Sequence, residues 1–283
     1  MWFASPADVR DRLAAADYLS DDSIATSVFL AGALGKPLLA EGPAGVGKTQ
    51  LAKAVSAATG AALIRLQCYE GLDEARALYE WNYKKQLLRI QAGGGEGWDA
   101  AHDDIFTQEF LLERPLLRAI RADAPTVLLI DEIDKADVEV EGLLLEVLSD
   151  YQVTIPELGT VTATRRPYVV LTSNASRELS EALRRRCLYL HLEYPTPERE
   201  RDIVLARVPG VEADLAERLA RTVATMRALE LKKSPSIAET VDWAETLLAL
   251  GRTELDEATV DATLGVVLKH ASDQARTRKE LGL

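Results

Sequence analysis

Cysteine is nearly missing from this chain: Cys68 and Cys187 are two residues in 283, far apart and without a metal-ligand spacing. A disulfide framework is not expected, and both thiols read as reduced, as in a cytosolic protein. Histidine is almost as scarce. His102, His191 and His270 are scattered, no H-x-E or H-E-x-x-H pattern exists, and no metal site built of side chains alone is expected. Basic residues are outnumbered, 33 Lys and Arg against 45 Asp and Glu, for a net charge of −12. Residues 191–283 hold 13 basic and 17 acidic residues, a balance of −4 that leaves −8 for the first 190. So even a negative field argues against the bare chain gripping nucleic-acid phosphates, while leaving room for a locally basic pore in an assembly. No apolar run reaches 18 residues, so no membrane span is expected. The start, Met-Trp-Phe-Ala-Ser-Pro, lacks the basic residues and apolar core of a signal peptide. A cytoplasmic protein is the expectation these features leave. Internal repeats are also lacking.

What is present begins with residues 42–49, Gly-Pro-Ala-Gly-Val-Gly-Lys-Thr, a complete G-x-x-x-x-G-K-[ST] loop. Its context gives it meaning. Pro37–Ala40 is a short apolar run suited to a buried parallel strand, and Thr49–Ala58 is rich in helix formers and closes at Gly60. A chance glycine turn would not come with strand, helix and every fixed position together. Gly42, Gly45 and Gly47 let the N–H groups of Gly42, Pro43, Ala44, Gly45, Val46, Gly47, Lys48, Thr49 and Gln50 (Pro43 lacking one) wrap a phosphate at the positive end of the helix. Lys48 is placed to reach the β- and γ-phosphates and the Thr49 hydroxyl to hold Mg²⁺, so a nucleoside triphosphate, with ATP the expected cofactor, is the implied ligand.

Four further strand candidates follow: Leu63–Gln67, Thr126–Ile130, Tyr168–Thr172 and Cys187–Leu192, separated by helical or loop sequence. Two helices precede the loop, one from Pro6 to about Leu19 and one from about Asp22 to Leu34. The alternation predicts an α/β domain with a five-stranded parallel sheet, residues 1–193. Tyr194-Pro195-Thr196-Pro197 marks its end. Helical segments at about 197–208, 212–229, 236–250 and 258–280 then form a small α-helical domain over 194–283. Gln91–Trp98, with four glycines, reads as an exposed loop.

The strand Val127–Ile130 runs into Asp131 and Glu132. Asp131 is placed to hold magnesium through water, and Glu132 to orient and deprotonate an attacking water. A second carboxylate poised on water favours hydrolysis over transfer to a small molecule. Asn174 closes another strand, where it can contact the γ-phosphate or the water. Ser180–Arg186 reads as a capped helix ending in three arginines. One or two of these serve the helix C-terminus. Arg186, and after it Arg185, is the candidate to enter a neighbouring subunit's site as a finger.

Together these pieces resemble an AAA+ ATPase, best the MoxR branch and, within it, the ATPases that mature carbon monoxide dehydrogenase and related metalloenzymes. The likeness covers essentially the whole chain. Gly42–Thr49 and Leu128–Glu132 are its strong motifs; Thr172-Ser173-Asn174 fits the sensor-1 position and Arg185-Arg186 the arginine-finger position. Tyr151–Thr164 alternates about Glu-Leu-Gly like the hairpin these proteins carry before sensor 1, and Tyr69–Arg89 lies where they carry an insert. The aromatics of that insert are open to a core role or another. One departure stands out: Ser234-Pro235-Ser236 replaces the usual Ser-Pro-Arg of sensor 2, and Ser236–Glu239 is itself a capping box. Lys232 or Lys233 is the substitute cation, and weaker coupling of the helical domain to nucleotide is expected. The resemblance implies a P-loop AAA+ core with a helical lid and ATP between them. It further implies a homo-oligomeric ring, expected to be a hexamer, and chaperone-like remodelling or metal-cofactor maturation of a metalloenzyme client with a von Willebrand factor A domain partner. The alternatives are a nucleotide-gated scaffold with little turnover, a nucleic-acid motor of the same superfamily and, last, a phosphate-loop kinase.

Overall fold

The computed structural model of the chain describes residues 1–92 and 105–282. Five short strands form one sheet: β1 (Leu38–Glu41), β2 (Ala62–Gln67), β5 (Thr126–Asp131), β8 (Tyr168–Ser173) and β9 (Leu188–His191). Their order is β2-β5-β8-β1-β9 and every pairing is parallel. β1, β5 and β8 are buried on both faces, as their unbroken apolar runs require. Register fixes the working ends. Gln67 pairs with Asp131, and Glu41, the last residue before the glycine-rich loop, pairs with Ser173. The loop, the Asp-Glu pair and Asn174 therefore all leave the carboxyl ends of strands, where open α/β sheets bind ligands.

Two small antiparallel pairs accompany the sheet. β6 (Gln152–Ile155) and β7 (Gly159–Thr162) form the hairpin that the alternation predicts. β3 (Tyr79–Trp81) and β4 (Leu111–Glu113) were not expected, because three residues are too few to display a period. In the insert, Leu78 and Trp81 join the core, Trp81 edge-on to Phe106 at 5.1 Å, while Tyr69 and Tyr83 are exposed. The glycine-rich stretch of residues 91–98 falls largely outside the described residues.

Contacts divide the chain into two compact units. One comprises residues 1–16, 20–41 and 49–191; the other comprises 17–19, 42–48 and 192–283. The first helix, Pro6–Ala14, is shorter than predicted, because Asp17 adopts a left-handed backbone (φ 57°) that stops it before Leu19. The helix expected over 258–280 is two helices, Glu257–Val267 and Ala271–Leu281. No proline announces the break, though Gly265 stands in the last turn of the first helix. Lys269 caps the first helix by donating from Nζ to the Gly265 and Val266 carbonyls, and Leu268 turns into the core at 1% exposure.

The helical segments Pro197–Arg207, Ala213–Arg227 and Ile237–Ala249 share an apolar core with those two, centred on the fully buried Trp243, whose Nε1 donates to Thr263 Oγ1 at 2.7 Å. A buried ion pair ties them together. Arg227 forks onto Glu200 at 2.5 and 2.8 Å, and Thr240 Oγ1 donates to the same carboxylate at 2.6 Å. Arg227→Leu would strand Glu200, which is 0% exposed. It should cost about 3–5 kcal/mol in urea unfolding, with much of that returned by adding Glu200→Leu. A single variant as stable as the parent would remove the pair from the account of this core.

Candidate nucleotide site

The glycine-rich loop is held by its own unit. Lys48, 6% exposed, donates from Nζ to the carbonyls of Gly42 at 2.6 Å and Pro43 at 2.7 Å, so the loop curls around its lysine. Two glycines cannot be replaced without movement. A Cβ at Gly42 would meet the Leu192 carbonyl oxygen at 2.0 Å, and one at Gly45 (φ 79°) would meet Ser236 Cβ at 2.1 Å. Two neighbouring carbonyls are claimed from farther along the chain: Ile237 N–H donates to Gly45 at 3.2 Å and Tyr194 Oη to Ala44 at 3.1 Å. The Tyr194 ring in turn carries the Arg227 guanidinium, 4.3 Å above its centre.

Ser236, at the sensor-2 position, closes the capping box that the sequence predicts. Its hydroxyl accepts from Glu239 N–H at 3.2 Å, and its own N–H donates to Glu239 at 2.7 Å. Lys233, one of the two lysines proposed from sequence to stand in for the sensor-2 arginine, places Nζ on Glu239 at 3.2 Å, and the backbones of Lys232 and Lys233 are anchored by Asp273.

The chain passes directly from Lys48 into Thr49, in the other unit, where the carboxylates lie. Thr49 Oγ1 donates to Asp131 Oδ1 at 2.8 Å, across 82 residues of sequence. Asp131 is 2% exposed, and Thr172 Oγ1 donates to the same oxygen at 2.6 Å. Glu132 takes a left-handed backbone (φ 57°), unusual for a residue with a Cβ, and its N–H is pinned to Thr172 Oγ1 at 2.8 Å. Its carboxylate is held aside by Lys135 Nζ at 2.7 Å and Gln67 Nε2 at 3.3 Å. The Glu132 bond raises the Lys135 ammonium above the usual lysine range.

Asn174 sits half-buried at the end of β8. Its loop is fastened by Asp134, whose carboxylate accepts from the Ser176 hydroxyl at 2.6 Å and the Ser176 N–H at 3.0 Å. Burial pushes the Asp134 carboxyl up, but these bonds and the Asn174 N–H outweigh it and hold the group below its ordinary value. Cys68 is pushed up to about 12, first by burial and then by Asp131, Asp134 and Glu132. Burial takes Cys187 to about 12 as well, so neither thiol is a nucleophile at neutral pH.

The structure thus brings Thr49, Asp131 and Glu132 together, with Asn174 on the adjoining strand end. Arg185 and Arg186 are engaged elsewhere. Arg186 Nε donates to Ser149 at 2.8 Å, Arg185 pairs with Glu181 one turn back, and Arg184 pairs with Glu41 at 3.2 Å. Sequence reasoning missed Arg65, Gln67 and Tyr194. The alternation of β2, with Ile64 and Leu66 buried and Arg65 and Gln67 on the other face, was the available signal for the first two.

The donor set fits a hard divalent ion: a hydroxyl and a carboxylate, both oxygen, with a lysine-filled loop preceding them in the chain. Fold and site together define a nucleotide-binding α/β protein of the AAA+ type. The sequence profile of the AAA domain, dynein-related subfamily, matches residues 37–187, more than half of the chain. The chain belongs to that family, in the MoxR branch that the motifs resemble. Protein NorQ of Paracoccus denitrificans (strain Pd 1222) is 26% identical over 201 residues, covering 69% of this chain and 66% of NorQ. Chaperone protein ClpB 2 of Parasynechococcus marenigrum (strain WH8102) is 32% identical over 136 residues, 47% of this chain but 13% of ClpB 2. The chain therefore spans just under two thirds of the first relative and a small part of the second. Among solved structures, a mutant of Thermotoga maritima RuvB matches with a TM-score of 0.50 at 19% identity, covering 93% of this chain and 71% of that one, a likeness of fold.

Proposed function

We propose that the protein hydrolyses ATP and uses the cycle to remodel a client. The observation that carries this is the Thr49–Asp131 contact of 2.8 Å, with Glu132 next in the chain, at the foot of a complete phosphate loop. Lys48 and the loop N–H groups bind and neutralise the phosphates. Mg²⁺, held by the Thr49 hydroxyl and through water by Asp131, supplies further charge neutralisation when bound. Glu132 takes the proton of the attacking water once Lys135 and Gln67 release it, and Asn174 orients that water or the γ-phosphate. The presence of Glu132 favours hydrolysis over a gated scaffold. The even charge of −12 disfavours a nucleic-acid motor.

A ring, hexameric by family likeness, would give Arg186 or Arg185, both exposed at the end of helix Glu181–Arg186, a neighbouring subunit's site to enter once they leave Ser149 and Glu181. The kinship with NorQ and ClpB supports a chaperone-like role in the cytoplasm, and the MoxR likeness supports a von Willebrand factor A domain partner and a metalloenzyme client. No described helix is long and apolar enough to cross a membrane. Mixing subunits tests the shared site. Arg186→Ala and Glu132→Gln chains, each inactive alone, should recover part of the parental ATPase rate when combined. No recovery where mixed rings demonstrably form would place the arginine outside the site.

A further inference from the structure

We propose that Arg65 competes with the divalent cation for Asp131, so that metal is admitted together with nucleotide and not by itself. The inference rests on Asp131 being the metal carboxylate and adds to that reading a residue that controls access to it.

The two oxygens of Asp131 accept four hydrogen bonds. Thr49 and Thr172 take Oδ1, while Arg65 takes Oδ2 from Nε at 3.0 Å and Nη2 at 2.5 Å. A carboxylate offers about four lone-pair directions, so none is left over. The donors differ in what they can do. The Thr49 hydroxyl can hold the metal through its oxygen while still donating its proton to Oδ1, so it does not compete with a metal-bound water for Asp131. Thr172 is locked between Asp131 and the Glu132 N–H. Arg65 is the only cation of the three donors, and a fork-on-carboxylate pair is the strong form of this contact.

Its place in the fold makes it removable. Arg65 stands on β2, an edge strand of the sheet, with its side chain 48% exposed, whereas the Asp131 side chain is 2% exposed. The guanidinium has solvent to swing into and the carboxylate has none. While Arg65 is docked, a divalent ion meets an Asp131 whose charge is already offset, and two positive groups within a few ångström repel. Triphosphate oxygens bring enough negative charge to reverse that balance; water does not. Arg65 Nη2 also donates to Gln67 Oε1, and Gln67 Nε2 reaches Glu132 Oε2. Undocking Arg65 therefore loosens one anchor of the side chain that holds Glu132 aside, so metal arrival at Asp131 and release of Glu132 are linked.

Mn²⁺ binding by the full chain, followed by electron paramagnetic resonance with and without ADP, tests this. Arg65→Gln should bind Mn²⁺ about tenfold more tightly than the parent without nucleotide, and by a smaller factor with ADP. Arg65→Lys, which keeps the charge, should stay near the parent, and ADP affinity in EDTA should change less than about twofold in both. Arg65→Met, which keeps the aliphatic stem, provides the same comparison should the glutamine chain melt early. Mn²⁺ affinity unchanged or weakened in a variant with the parental melting curve would overturn the proposal. Mn²⁺ bound with ADP yet indifferent to residue 65 sinks this inference alone, whereas no Mn²⁺ bound by the parent even with ADP sinks the metal site with it.

Discussion

Glu132→Gln should keep ATP binding within a few-fold of the parent and lower hydrolysis by about 10²- to 10⁴-fold, the range of a positioned general base. The amide matches the carboxylate in size and can still accept a hydrogen bond from Lys135, so the strained turn at φ 57° and its clamp to Thr172 need not change. What is lost is the ability to take a proton from water. Among the described residues the neighbouring carboxylates are otherwise engaged. Asp131 is committed on both oxygens, and Asp134 is turned to the Ser176 loop. Fluorescent-nucleotide binding and phosphate release measured on the same preparation separate the two effects. Full turnover by the glutamine variant would take Glu132 out of the chemistry.

Lys48→Ala should have the opposite signature, with nucleotide affinity falling about 10²- to 10⁴-fold. The ammonium is buried and gathered by the Gly42 and Pro43 carbonyls at 2.6 and 2.7 Å, in a loop shaped around a cation. Removing it deletes two charge-assisted contacts to phosphate, each worth about 1.5–3 kcal/mol, and leaves those carbonyls without a donor. Helix content should hardly change, because alanine suits the first turn of Lys48–Thr59. Calorimetry with a slowly hydrolysed ATP analogue would show the loss. Affinity within a few-fold of the parent would mean that the lysine does not face the phosphates.

Much of this site was legible because each piece carries a local signal. The glycine spacing of 42–49, the apolar run ending in Asp131-Glu132 and the polar end of Tyr168–Ser173 are short-range patterns, and the parallel sheet places such strand ends side by side. What stayed hidden depends on contacts distant in sequence. Arg65 finds Asp131 across 66 residues, and Tyr194 finds Ala44 across 150, from positions that read as an ordinary edge strand and a linker. The miscounted helices have a local cause instead. Asp17 stops the first by a backbone turn that no glycine marks, and Lys269 ends another with a side-chain cap. The arginines show the limit from the other side: three in a row mark a helix end, but their partners Glu41, Glu181 and Ser149 become visible only in the fold.

The central claim is hydrolysis at a site completed between subunits, and the most direct test is the ATPase rate per subunit against protein concentration, with Mg²⁺ and no partner. The account predicts a rate that rises steeply with concentration and then saturates. A flat, near-zero rate across the whole range, despite tight ATP binding and demonstrable ring assembly, would contradict it.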